Sequence, residues 1–165
     1  MSKSKKVATF ALCVALAFTL SFLESLVPVN IGIPGVKLGL ANSVVLMAMY
    51  LLGKKEAFAI SMIRILLAGL LFSGAFSLIY SLAGGILSYF VMLAAMQSKK
   101  LSALGVSVLG ASVHNVGQIV VAGVVMQTSR IVYYLPVLLI SGAVTGVIVG
   151  ILSGIVIARL NNIIK

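Results

Sequence analysis

Long apolar stretches alternate with short polar or basic breaks along the whole of this sequence. The stretches fall near residues 7–27, 38–52, 56–72, 75–96, 102–126 and 133–158. Because a helix crosses a bilayer with ~20 predominantly apolar residues, the pattern predicts six transmembrane helices, the second of them short. The breaks leave no room for a separate soluble domain. We therefore predict an all-α integral membrane protein, a six-transmembrane-helix bundle forming a single transmembrane domain over residues 1–165.

The composition indicates that lipid is the solvent for most of this chain. Hydrophobic residues make up 62% of the sequence and charged residues 8%, which leaves too little polar surface to cover a water-soluble globule. The net charge of +10 would suggest nucleic acid in a soluble protein, but here the basic residues form short clusters between apolar stretches. We predict contact with the lipid bilayer and no nucleic-acid partner.

The basic clusters also predict the orientation of the bundle. Six spans place both termini on one side, and nine of the twelve lysines and arginines fall in the segments of that side. Since positive residues concentrate in cytoplasmic segments, we expect both termini in the cytoplasm. The nine residues are Lys3, Lys5, Lys6, Lys54, Lys55, Lys99, Lys100, Arg159 and Lys165.

Side chains for catalysis or metal binding are scarce. Aspartate is absent, and the two glutamates, Glu24 and Glu56, fall on opposite sides of the membrane in the predicted topology. No carboxylate pair is therefore expected for acid–base or metal–diphosphate chemistry. A single histidine and Cys13 cannot form a metal site without other chains. We expect a protein that is not an enzyme and that uses no metal or cofactor.

Arg64 is the most informative charged residue, because it lies within the third apolar stretch, ~12 Å from Glu56 along a helix. A guanidinium at that depth is costly and should face the bundle interior or a wet cavity, where it meets an anion, a carbonyl or a ligand. The alternative is a structural role, in which Arg64 snorkels or bonds to helix ends.

Polar side chains also follow one face of the fifth stretch. His114 and Gln118 are one helical turn apart, and Asn115 lies beside them. They form either a polar pocket or hydrogen bonds that hold helices together. The break at residues 28–37 contains two prolines and two glycines and predicts an outer loop, either a connector or a lid. We expect one cavity for a small anionic molecule, lined by Arg64, His114, Asn115, Gln118, Asn42 and Lys37.

Small residues recur at helical spacing in the last and first stretches. Gly142, Gly146, Gly150 and Gly154 are four residues apart and predict a ridge on which another helix packs closely. Ala8, Ala11 and Ala15 form a shorter strip near the start of the chain. This strip could serve internal packing or the docking of a partner helix.

Four motifs together resemble a known family: Pro34-Gly-Val-Lys-Leu-Gly-Leu-Ala-Asn42, the intramembrane Arg64, Ser81-Leu-Ala-Gly-Gly85 and His114-Asn-Val-Gly-Gln118. Over essentially its whole length the chain resembles the Gx transporter family, also labelled heptaprenyl diphosphate synthase component I. That family is similar to the S components of energy-coupling factor transporters, which carry vitamins and related micronutrients into prokaryotic cells.

The resemblance implies two different functions. The S-component relation implies a substrate-binding subunit in a prokaryotic cell membrane, with an outward cavity gated by the loop between its first two helices. It further implies that Ala11 and Ala15, in an AxxxA pattern, dock a transmembrane coupling subunit driven by ATPase subunits. The synthase label implies instead a membrane accessory subunit of heptaprenyl diphosphate synthase, in isoprenoid or menaquinone side-chain synthesis.

Overall fold

A computed structural model describes residues 2–26 and 39–164, and within these ranges the chain is helical with no strand. The all-helical prediction is therefore confirmed for the described residues. Lys37 and the rest of the loop at residues 28–37 lie outside them. The helices are α1 (Lys3–Leu26), α2 (Asn42–Leu51), α3 (Lys54–Ala68), α4 (Gly74–Gln97), α5 (Ala103–Val125) and α6 (Leu135–Ile164), with a π-helical turn at Gly69–Ser73 and a 3-10 turn at Ser129–Tyr134.

Length and apolar character identify the segments able to cross a bilayer. Four helical segments qualify, namely Lys3–Leu26, Lys54–Gln97, Ala103–Val125 and Ser129–Leu160. Many of their large apolar side chains point away from the bundle, as expected for a surface in contact with lipid. Helix α2 has ten residues and spans only ~15 Å, about half of the hydrocarbon core. The structure therefore supports a membrane protein, but six separate crossings are not confirmed.

The segment Lys54–Gln97 is a hairpin of two helices rather than one rod. The chain turns at Gly74, whose φ of +78° is accessible to glycine at little cost. Helices α3 and α4 then pack against each other, because a Cβ at Gly85 would lie only 2.5 Å from Ile65 Cδ1. At the far end, the Tyr89 hydroxyl donates a hydrogen bond of 2.6 Å to the Lys54 carbonyl.

The predicted glycine ridge on α6 packs against α5. A Cβ at Gly142 would lie 3.2 Å from a backbone oxygen of α5, and one at Gly146 or Gly150 would lie within 2.8 Å of a Cα atom of that helix. The ridge prediction is confirmed for these three glycines, which allow the two backbones to approach closely. Gly154 has no neighbouring atom within 4 Å among the described residues.

Helix α2 is short because it lies inside the bundle instead of facing lipid. Val44, Leu46 and Ala48 are completely or almost completely buried. Ser153 of α6 donates a hydrogen bond of 3.3 Å to the Ser43 carbonyl. This bond connects the first turn of α2 to α6. Helix α2 also packs on α3, which places Asn42 beside Arg64 in the site described below.

The first turns of α1 and α3 meet at one end of the bundle. Lys6 Nζ lies 2.5 Å from Glu56 Oε1, and both side chains are partly exposed. Lys54 and Lys55 stand at the same end, so the structure gathers several of the basic residues predicted to share one side. Which side of a membrane this end occupies stays a prediction.

Candidate binding site

A small polar cavity lies among α1, α2, α3, the π-helical turn, α4 and α5. Its volume is about 10 Å³, which is room for about one water molecule. The walls are unusually polar for the interior of an apolar bundle. The polar lining consists of Ser21, Glu24, Asn42, Arg64, Ser73, Ser81 and His114.

Arg64 faces the interior of the bundle, where it is 6% exposed. Its Nη2 atom donates a hydrogen bond of 2.5 Å to Asn42 Oδ1. This bond connects α3 to the first residue of α2. Its Nε atom is buried and has no hydrogen-bond partner among the described residues. A buried charged donor without an acceptor is costly in lipid, which makes this atom the clearest place for a ligand oxygen.

Glu24 brings the opposite charge to the same cavity. It lies near the end of α1, is buried, and accepts a hydrogen bond of 2.5 Å from the Leu40 backbone N–H. The spacing of Glu24 and Arg64 in the sequence does not place the two residues together. The packing of α1 on α3 does so, and the cavity therefore combines a cationic donor with an anionic acceptor.

His114 reaches the cavity because α4 and α5 cross very closely. A Cβ at Gly84 would lie 2.7 Å from the His114 carbonyl oxygen and 3.1 Å from its Cε1 atom. A Cβ at Gly117 would lie 2.9 Å from the Gly84 Cα atom. Only glycine at both positions permits this approach, so the close packing at Gly84 sets the position of the imidazole.

Asn115 and Gln118 do not line this cavity. Asn115 Nδ2 donates a hydrogen bond of 2.6 Å to the Leu138 carbonyl and so connects α5 to α6. This contact is of the kind predicted as the alternative for the polar face of α5, a hydrogen bond between helices. Gln118 is 1% exposed, and neither atom of its amide has a hydrogen-bond partner among the described residues.

Three serines of the lining could not be recognised from residue type alone. Ser21, Ser73 and Ser81 belong to different helical segments, and single serines are common in apolar helices. Ser73 ends the π-helical turn, whose wider backbone redirects the side chains around it. Ser81 begins one of the four motifs, and that motif was the signal available for it in the sequence.

The arrangement can bind a polar group. Within the described residues, no group of three or more His, Cys, Asp or Glu side chains could hold a metal ion. Among the described residues, the groups that line the cavity are hydrogen-bond donors and acceptors, with Arg64 as the cation and Glu24 as the anion. They can orient a small molecule through Arg64, Glu24 and His114.

The fold and this cavity define an all-helical membrane protein with a buried polar site. Residues 13–156 match the family model described as heptaprenyl diphosphate synthase component I, and the chain belongs to that family. This confirms the family indicated by the motifs. No curated protein matches the chain. No solved structure matches it either, so the similarity to energy-coupling factor S components has no independent support.

Proposed function

We propose that this protein is a non-catalytic membrane subunit that binds a small molecule with an anionic group in the Arg64 cavity. One observation carries the proposal, the buried Nε atom of Arg64 without a hydrogen-bond partner. Leaving such a donor unpaired costs ~1–3 kcal/mol or more, and a carboxylate or phosphate oxygen would recover that energy. Arginine suits this role because its guanidinium can hold two oxygens of one group at once.

The other charge in the cavity narrows the choice of ligand. Because Glu24 faces the same space as Arg64, a second anionic group on the ligand would be repelled. The ligand that fits best has one anionic group for Arg64 and a hydrogen-bond donor or positive charge for Glu24. A cavity of about 10 Å³ cannot hold such a molecule, so binding requires the walls to move apart.

We further propose that the protein delivers its ligand as the substrate-binding subunit of an uptake transporter in a prokaryotic cell membrane, with both termini cytoplasmic. Support comes from the surface of α1, where Ala8, Ala11 and Ala15 are exposed and leave a strip of small residues open to a neighbouring helix. A transmembrane coupling subunit would dock there and connect the protein to ATPase subunits.

Bulky side chains on this strip test the docking role. The double change Ala11→Leu and Ala15→Leu should reduce co-purification with a coupling subunit and ATPases, while the protein still folds. The matched control, Ala11→Ser with Ala15→Ser, keeps both residues small and should preserve the assembly. Unchanged assembly and uptake in the leucine variant would refute the docking role.

A second experiment tests the ligand. Native mass spectrometry of the purified protein should detect a bound small molecule, and Arg64→Lys should reduce its occupancy while the protein still inserts and folds. Lysine keeps the charge but lacks the Nε donor and the fork geometry. If Arg64→Lys lowers the yield of folded protein, but the folded fraction binds the small molecule with unchanged occupancy, Arg64 has a structural role and the proposal fails.

The family description favours a second candidate function. The chain belongs to a family described as a component of heptaprenyl diphosphate synthase, which suggests an accessory subunit that works with a separate catalytic subunit. An accessory subunit should co-purify stably with a soluble prenyl synthase and raise its activity. Association with a coupling subunit and ATPases, without a synthase, would favour transport.

A further inference from the structure

A second cavity, separate from the Arg64 site, opens on the surface of the bundle between α3 and α4. Its volume is about 310 Å³, far larger than that of the inner cavity. It lies at the end of the bundle where Lys6 meets Glu56. The lining is Lys54, Lys55, Phe58, Tyr89, Phe90 and Leu93.

The apolar part of this groove is a cluster of three aromatic rings. The Phe58 and Tyr89 ring centroids are 5.0 Å apart, and those of Tyr89 and Phe90 are 5.6 Å apart. Tyr89 is 4% exposed and bonded through its hydroxyl to the Lys54 carbonyl, so the base of the groove is held in place. Phe90, in contrast, is 56% exposed and presents its ring to the surroundings.

The polar part of the groove consists of two lysines that form no salt bridge with a carboxylate of the described residues. The whole chain contains two acidic side chains. Glu24 lines the inner cavity, and Glu56 forms the ion pair with Lys6. Lys54 and Lys55 are both exposed at the start of α3, and the nearby Glu56 is already engaged by Lys6, so this end of the groove carries a net positive charge that attracts an anion.

We propose that this groove binds an anionic phospholipid, with the headgroup phosphate at Lys54 and Lys55 and an acyl chain against Phe58, Phe90 and Leu93. Both halves of the groove are needed for this inference. Lysines alone would attract any soluble anion, whereas an apolar floor directly beneath them selects an anion that carries a hydrocarbon chain. Basic pockets between membrane helices bind anionic headgroups in this manner, and phospholipids surround this face of a membrane protein.

Lipid binding to the full-length protein in detergent tests the proposal by native mass spectrometry with added phosphatidylglycerol. The test variant is Lys54→Gln with Lys55→Gln, and the control is Lys99→Gln with Lys100→Gln, which removes the same charge from residues outside the groove. The test variant should bind phosphatidylglycerol about 30-fold more weakly, since each lysine near a membrane surface contributes ~1 kcal/mol. The control should bind it as the unchanged protein does.

Two further ligands distinguish the contribution of the phosphate headgroup to binding from that of the acyl chain. Glycerol phosphate, which has the phosphate but no acyl chain, should bind much more weakly than phosphatidylglycerol, and Phe90→Ala should reduce the binding of the lipid. Equal binding of glycerol phosphate, or equal losses in the two double-lysine variants, would overturn the proposal. Preference for farnesyl diphosphate over phosphatidylglycerol would also overturn it and would indicate an isoprenoid site.

Discussion

Replacing Arg64 by methionine removes the guanidinium from the inner cavity and keeps a side chain of similar length. The Arg64–Asn42 hydrogen bond is lost, and the positive charge of Arg64 is removed from the cavity that Glu24 also lines. Replacing Asn42 by alanine instead leaves the buried guanidinium without the acceptor of its Nη2 atom. Because an unsatisfied charged group costs more than an unsatisfied amide, we expect Asn42→Ala to destabilise the protein more than Arg64→Met does.

A double-mutant cycle isolates the energy of this one contact. The attraction between Arg64 and Glu24 is removed in both steps of the cycle that replace Arg64, so it cancels from the coupling energy. Hydrogen bonds between membrane helices contribute ~0.6 kcal/mol on average and up to ~1.7, and a charged donor belongs at the upper end of that range. We therefore expect the double variant to be ~1–2 kcal/mol more stable than the sum of the two single changes predicts.

The free energy of unfolding of the detergent-solubilised protein, titrated with sodium dodecyl sulfate, gives the four values of the cycle. Native mass spectrometry of the same samples reports whether a bound molecule is retained. A coupling energy below ~0.3 kcal/mol would show that the two changes are additive, and the contact would then not be what holds Arg64 in place. Coupling without any change in bound molecules would assign Arg64 a structural role alone.

Three further predictions follow from the packing and the charge pattern. Gly84→Ala should destabilise the protein by ~1–3 kcal/mol in the same titration, because the added methyl meets the backbone of α5. Gly154→Ala, with nothing within 4 Å among the described residues, should change stability little. Equal effects would contradict the close crossing of α4 and α5. Asn115→Ala should lower stability by ~0.6–1.7 kcal/mol, because the bond to the Leu138 carbonyl is lost, and it should leave bound molecules unchanged. A loss of bound molecules would show that Asn115 belongs to the ligand site. A cysteine at Lys99 should react with an impermeant maleimide only after the cells are permeabilised, whereas labelling of intact cells would reverse the predicted orientation.

Much of the architecture could be predicted because it depends on local pattern. Apolar length and composition indicate helices in lipid, since every backbone polar group must be satisfied within its own segment there. The spacing of Gly142, Gly146 and Gly150 predicts a contact face for the same local reason, and this face does pack on α5. The cost of a guanidinium in lipid likewise predicts that Arg64 faces the interior. None of these inferences requires knowing which helix is the neighbour.

The residues that line the cavity could not be predicted in this way, because the lining depends on which helices meet and on how each helix is rotated about its axis. Periodicity places Asn115 beside His114 and Gln118, yet Asn115 bonds to α6 and only His114 of the three lines the cavity. Glu24 is distant from Arg64 in sequence and joins it through the packing of α1 on α3. Helix α2 is short because a helix enclosed by other helices need not match the thickness of the bilayer. The sequence by itself determined that the chain is helical, apolar and carries a costly buried arginine, whereas tertiary packing alone decided which groups satisfy that arginine.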